Sequence, residues 1–158
     1  MTSIETLIKH MGWANHRMLT EVASLPAECL QATYGPKEWN VARIIAHIAG
    51  GNEWYAFLLS GQQWTDLQHP ASGPEVLAMR DYIDSFTTYF LEQAALPDAT
   101  IEFSDEFGQH TALRSVVLAQ AIYHSTEHRA HIATAIEVQG ITKIDLDAYD
   151  VWAYHYSL

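Results

Sequence analysis

The chain is poor in cysteine and in positive charge, and it contains no long apolar run. One cysteine in 158 residues, Cys29, excludes an internal disulfide framework and agrees with a reducing compartment. Cys29 itself reads as a small filler residue near a helix end. Eight basic residues face 19 acidic ones, for a net charge of −11. The summed field repels phosphate backbones, so nucleic acid is not an expected partner. No window reaches the roughly 18 uninterrupted apolar residues of a membrane span, and Met1 to His10 lacks the apolar block of a secretion signal. A cytosolic protein without membrane contact is the expectation. Also missing are a Gly-rich phosphate loop, a G-x-S-x-G turn and a plausible Cys/His pair, which argues against nucleotide handling and acyl-enzyme chemistry.

What is present is helical periodicity. With 49% hydrophobic residues the chain can bury one core, and it is read as a single domain over 1–158. Four helical stretches are predicted. The first runs from about Ser3 to Leu25 with the seam Ile4, Leu7, Met11, Ala14, Met18 and then Val22 or Leu25, and Pro26 marks its end. The second follows Asn40, a good N-cap, and stops near Gly61, with the seam Ile44, His47, Gly51, Trp54 and Leu58. The third starts at about Pro74 and carries Val76, Met79, Ile83, Phe86 and Phe90 before Pro97. From Thr100 to Ala112 short alternating runs around Asp105-Glu106-Phe107-Gly108 read as a small hairpin. The fourth helix extends from Leu113 to Gln139, with Thr111 as its cap and Gly140 as its stop. The connections take roughly 12 to 16 residues, long for simple antiparallel neighbours, so at least one should cross an end of the bundle. The tail from Ile141 is rich in aromatics and should pack across the helices.

The fourth helix carries the chemistry. Its seam reads Val117, Ala121, His124, His128, His131, Ala135, Val138, with three of the chain's nine histidines at consecutive positions. A core histidine must satisfy two ring nitrogens away from water, and failure costs roughly 1–3 kcal/mol per unpaired group. Metal ligation by neutral imidazoles changes that balance, returning on the order of 10 kcal/mol in a well-built site. His124 and His128, at i and i+4, lie about 40° apart around the helix and can grip one ion, whereas His131 is about 10 Å along the axis from His124. The expected ligand pair is therefore His124 and His128, with His131 one turn beyond, lining the site or hydrogen-bonding to it; the pair His128 and His131 is the alternative. The third ligand should come from another element, and His47 on the second helix is the candidate. Gly51, one turn from His47, leaves open volume beside the ion at a cost of about 1 kcal/mol in helix propensity.

Other motifs carry less. His124-Ser125-Thr126-Glu127-His128 fits the inverted zinc-peptidase pattern H-x-x-E-H, but a peptidase is not expected in so short a chain. Glu127 is either a solvated carboxylate or a general base beside the ion. His10, His16, His69, His110 and His155 read as structural or surface residues. Asp145, Asp147 and Asp150 lack the glycine and the closing glutamate of a calcium loop.

Trp13-Ala14-Asn15, Ala46-His47-Ile48, His124-x-x-x-His128-Arg129 and the closing Asp145-Leu146-Asp147-Ala148-Tyr149, in this order, resemble the DinB/YfiT-like bundle proteins over nearly the whole length. The resemblance implies an all-α, four-helix bundle of up-down-down-up topology, often dimeric, whose three histidines bind a divalent metal; position by position these are His47, His124 and His128. One departure is His131 in His128-Arg129-Ala130-His131, where many members carry glutamine. Similar proteins include S-transferases that use low-molecular-weight thiols. The resemblance thus implies a metal-dependent thiol transferase acting on a small molecule, with a hydrolase as the nearest variant. The rival from a different class is a non-catalytic bundle in which the ion staples two helices. Imidazole ligation suits zinc or nickel first, then iron, copper or manganese.

Overall fold

The computed structural model of the chain describes residues 3–35, 39–63 and 65–158. Four long helices and a small hairpin account for most of it, each bounded by local chemistry. Helix α1, Ile4–Ser24, starts where the Ser3 hydroxyl accepts the Thr6 N–H, and it buries Ile8, Met11, Ala14, Met18, Leu19 and Val22. Helix α2, Val41–Ser60, is capped by the Asn40 side chain, which accepts the Arg43 N–H at 2.9 Å. It closes on Gly61, whose φ of 71° is the left-handed conformation that glycine adopts without a Cβ penalty. Helix α3, Gly73–Ala94, has Pro74 in its first turn and buries Val76, Ile83, Phe86 and Phe90. Strands β1, Thr100–Asp105, and β2, Gly108–Leu113, pair antiparallel from Thr100↔Leu113 to Asp105↔Gly108. Helix α4 is Arg114–Val138.

The start of α4 differs from expectation. Thr111 is no cap, because β2 continues through it to Leu113. Asp98 does that work from the loop before β1: its carboxylate accepts the Ser115 N–H at 3.0 Å and the Ser115 hydroxyl at 2.7 Å. A carboxylate at a helix N-terminus also complements the helix dipole, and both bonds hold it below the usual carboxylate range. The predicted seam of α4 is buried at Val117, Ala121, His128 and Ala135, but it is only part of the buried surface. Val138, the last helical residue, is 64% exposed, and a second buried line runs through Leu118, Ser125, Ile132 and Ile136. The reason is tertiary: α4 packs against both α1 and α2, so its buried arc is wider than one seam.

Side-chain pairs give the helix directions. His16 meets Asp84 and Thr20 meets Arg80, so α1 and α3 are antiparallel. Glu53 meets Tyr82, and Ala56 meets Tyr89, so α2 and α3 run parallel. His47 lies beside His128 while Tyr55 lies beside His124, so α2 and α4 are antiparallel. The result is the up-down-down-up order. Helices α1 and α2 are not principal neighbours, so the connection between them, with a 3₁₀ turn at Ala27–Gln31, crosses an end of the bundle. The tail forms a second 3₁₀ turn at Leu146–Tyr149 and helix α5, Val151–Tyr156, and it buries Ile144, Tyr149 and Tyr154. Asp145 and Asp150 serve as caps there, accepting the N–H groups of Asp147 and Ala153. His10 is buried with its Nε2 at 2.8 Å from the Tyr149 carbonyl, to which it donates. Among the described residues no helix is long and apolar enough to cross a membrane.

Candidate metal centre

Antiparallel packing of α2 on α4 brings three imidazoles to one place. His124 and His128 rise from successive turns of α4, with ring centroids 4.4 Å apart, and His47 of α2 lies 4.8 Å from the first and 4.6 Å from the second. The Nε2 atoms of His47 and His124 are 3.1 Å apart, and one nitrogen from each ring falls within 4.8 Å of the other two. His47 is exposed, His124 half-buried and His128 buried, so the cluster is closed at its base and open along α2.

The surroundings fix the rings. Trp39, just before the cap of α2, meets His47 edge-on at 5.1 Å and lies parallel to His128 at 6.3 Å. Tyr55 meets His124 edge-on at 5.7 Å. Gly51 is the cradle: a Cβ there would stand 2.4 Å from His124 Cε1, a distance no real contact tolerates. Position 51 must therefore lack a side chain for His124 to hold this orientation. His131 does not join the cluster. Its Nδ1 lies 3.3 Å from His128 Nδ1, and Tyr34 stacks on its ring at 4.7 Å and 11°. Glu127 is exposed. Its charge reaches His47 and His128, favouring their protonated forms, but it is outweighed by burial.

All three clustered imidazoles are held neutral. Burial and then His47 push His124 down to about 4. Burial and then its histidine neighbours push His128 down to about 4. Burial and then Arg43 lower His47. Neutral imidazole is the ligand form. Two nitrogens bound at about 2.0–2.1 Å to one tetrahedral ion stand about 3.3 Å apart, close to the 3.1 Å found between His47 and His124. His124 Nδ1 is buried without a hydrogen-bond partner; a ring ligating through Nε2 carries its proton there. The neutral donor set, its spacing and the cradle together fit a divalent ion.

A family model described as the DinB family matches residues 1–155. The chain belongs to the DinB family. Comparison with curated proteins finds no match. The segments that carry the DinB resemblance take on physical roles in the fold. Asn15 accepts from Arg129 Nη1 at 2.7 Å, its Nδ2 lies 3.5 Å from Ser125 Oγ, and Arg129 Nη2 also donates to Thr126 at 3.1 Å. This buried set pins α4 to α1 and turns the neighbouring residues His124 and His128 toward α2. Trp13 packs on Tyr154 at 5.5 Å, tying α1 to the tail. DinB membership and the three-histidine cluster are compatible with a metal-binding protein.

Sequence reading did not anticipate Trp39, Tyr34 or Tyr55 around the imidazoles. Trp39 had a detectable signal, an aromatic residue immediately before a helix cap, where a staple residue is common. The contact of Tyr34 with His131 had none, because it depends on how the connection between α1 and α2 crosses the bundle.

Proposed function

We propose that this DinB-family chain is a divalent-metal-dependent enzyme that joins a low-molecular-weight thiol to a small electrophile, with His47, His124 and His128 holding the ion. The observation that carries this reading is the open side of the cluster. Exposed His47, alone of the three, lines a hollow of about 220 Å³ together with Arg43, Ala46, Gly50, Thr65, Leu67 and His69. Three protein ligands with space for a reactant is the arrangement of a catalytic site, whereas a structural site is closed by a fourth. That open hollow favours an enzyme over a bundle merely stapled by its ion.

When bound, the ion supplies Lewis acidity that brings a thiol or water toward ionisation near neutral pH. The chain's own groups do the rest. His131, stacked by Tyr34, engages Nδ1 of His128 and so orients that ring. Glu127, exposed on the same turns of α4 as the two ligands, takes the proton released by the thiol. Sulfur then bonds to the electrophilic carbon, and the leaving group departs with the electron pair. A second copy of the chain is the proposed protein partner.

The test is thiol consumption. Zinc- or nickel-loaded protein mixed with cysteine-derived thiols and alkylating electrophiles should deplete free thiol faster than the free metal does, and His124→Ala should abolish the difference. Metal-dependent turnover with water but with no thiol would reassign the chain as a hydrolase. Absence of any metal-dependent turnover with thiol or water would count against catalysis.

A further inference from the structure

The segment 61–72 between α2 and α3 forms neither helix nor strand in its described residues, yet one side chain holds it firmly. Glu53 of α2 is only 4% exposed. Its Oε1 accepts the Thr65 hydroxyl at 2.6 Å, the Thr65 N–H at 3.2 Å and the Tyr82 hydroxyl at 2.5 Å. Burial and then the Glu53 carboxylate raise the Tyr82 phenol to about 12, so it remains a donor. Taking a carboxylate out of water costs several kcal/mol unless its lone pairs are met. Here they are met by one residue of the strap and one of α3, which ties α2, strap and α3 at a single point.

The strap so held is a wall with a hollow on each side. Toward α3 lies a hollow of about 440 Å³ lined by Leu67, Pro70, Ala78, Met79 and Tyr82 together with the polar Thr65, Gln68 and His69. Thr65, Leu67 and His69 also line the hollow in front of His47. The larger hollow is within the roughly 300–1,000 Å³ range of small-molecule sites. Its lining is mostly apolar, and Met79 is the kind of unbranched side chain that adapts to varied shapes. The carboxylate at its rim, Glu75, already accepts the Ala71 N–H at 2.7 Å, and no arginine or lysine lines it.

We propose that the hollow between the strap and α3 is the subsite for the apolar part of the substrate of the three-histidine centre, an uncharged small molecule carrying a ring or a short hydrocarbon chain. This rests on the reading of His47, His124 and His128 as a metal site. The strap then sets specificity: one side admits the reacting end beside His47, the other sorts molecules by their apolar bulk.

The probe is the uncharged fluorophore N-phenyl-1-naphthylamine, titrated into full-length protein. Zinc-loaded wild type should bind it saturably. Ala78→Trp, at an exposed position of α3, should weaken binding at least tenfold while leaving zinc uptake intact. Cobalt at the histidines, which quenches a nearby fluorophore by energy transfer where zinc does not, should dim the bound probe. His124→Ala should abolish that quenching and leave probe affinity within twofold. Equal affinity in wild type and Ala78→Trp, no saturable binding, or bound probe indifferent to cobalt would each overturn the subsite. Failure of wild-type protein to take up any metal overturns the reading of the centre instead, and with it the assignment of the hollow to that centre, whatever the probe does.

Discussion

Helix α4 presents two polar faces that differ in one respect. Toward α1 it places Ser125 and Arg129, both buried, and each finds a partner: Arg129 donates to Asn15 and Thr126, and Ser125 lies within reach of Asn15. Toward α2, one residue away in each case, it places His124 and His128, whose nearest polar neighbours are other imidazoles, with one nitrogen of His124 unpartnered. The first face is a closed network that resists change and holds the fold. The second is a set of imidazoles that converge with His47 of α2. Buried polarity alone therefore does not mark a functional site; convergence without mutual satisfaction does.

The sharpest way to break the comparison is to truncate one residue on each face. His124→Ala should lower zinc affinity on the order of a hundredfold or more, read by competition with a chromophoric chelator, while urea unfolding of the metal-free protein shifts by less than about 1 kcal/mol. Arg129→Ala should show the converse. It strands the Asn15 carbonyl and removes a packed stem, at a cost of about 2–3 kcal/mol, yet the folded fraction should still bind one zinc. Similar stability losses from both would erase the distinction between the faces.

Gly51→Ala probes the cradle. The new methyl must displace the His124 ring, so zinc affinity should fall by roughly ten- to a hundredfold, although alanine favours the helix by about 1 kcal/mol. Affinity unchanged within twofold would mean that the ring orientation described here is not the binding one. His131→Ala should cost about tenfold in affinity by releasing Nδ1 of His128, and His131→Gln should recover part of the loss. Equal affinities in all three proteins would remove His131 from the site.

Acid stability reads the burial of the same rings. Burial and the neighbouring histidines push His124 and His128 from 6.5 down to about 4 in the folded chain. Between those values the unfolded chain binds more protons, so metal-free protein should lose stability as pH falls through that window. The double variant His124→Gln, His128→Gln should show a shallower decline in urea titrations than wild type. Parallel slopes would contradict the burial of these rings.

Much of the fold was legible because its signals are local. Asn40, Gly61 and Pro74 bound their helices by cap and turn chemistry, and the stretch around Asp105-Glu106-Phe107-Gly108 is a hairpin. The histidines of α4 could be paired from spacing alone, because i and i+4 share a face whatever the helix packs against. What escaped depends on tertiary placement. The width of the buried arc of α4 is set by two neighbouring helices, and the cap of α4 comes from Asp98 across the hairpin instead of from Thr111 beside it. Glu53 passed unnoticed, because its partners Thr65 and Tyr82 lie on elements whose approach no periodicity predicts.

In the proposed site His47, His124 and His128 hold one divalent ion between α2 and α4. Elemental analysis of protein purified without a polyhistidine tag, beside His124→Ala prepared in the same way, tests it most directly. One metal ion per wild-type chain and a small fraction of that in the variant is the predicted result. Equal metal content in the two, or none in folded wild-type protein offered zinc and nickel, would contradict it.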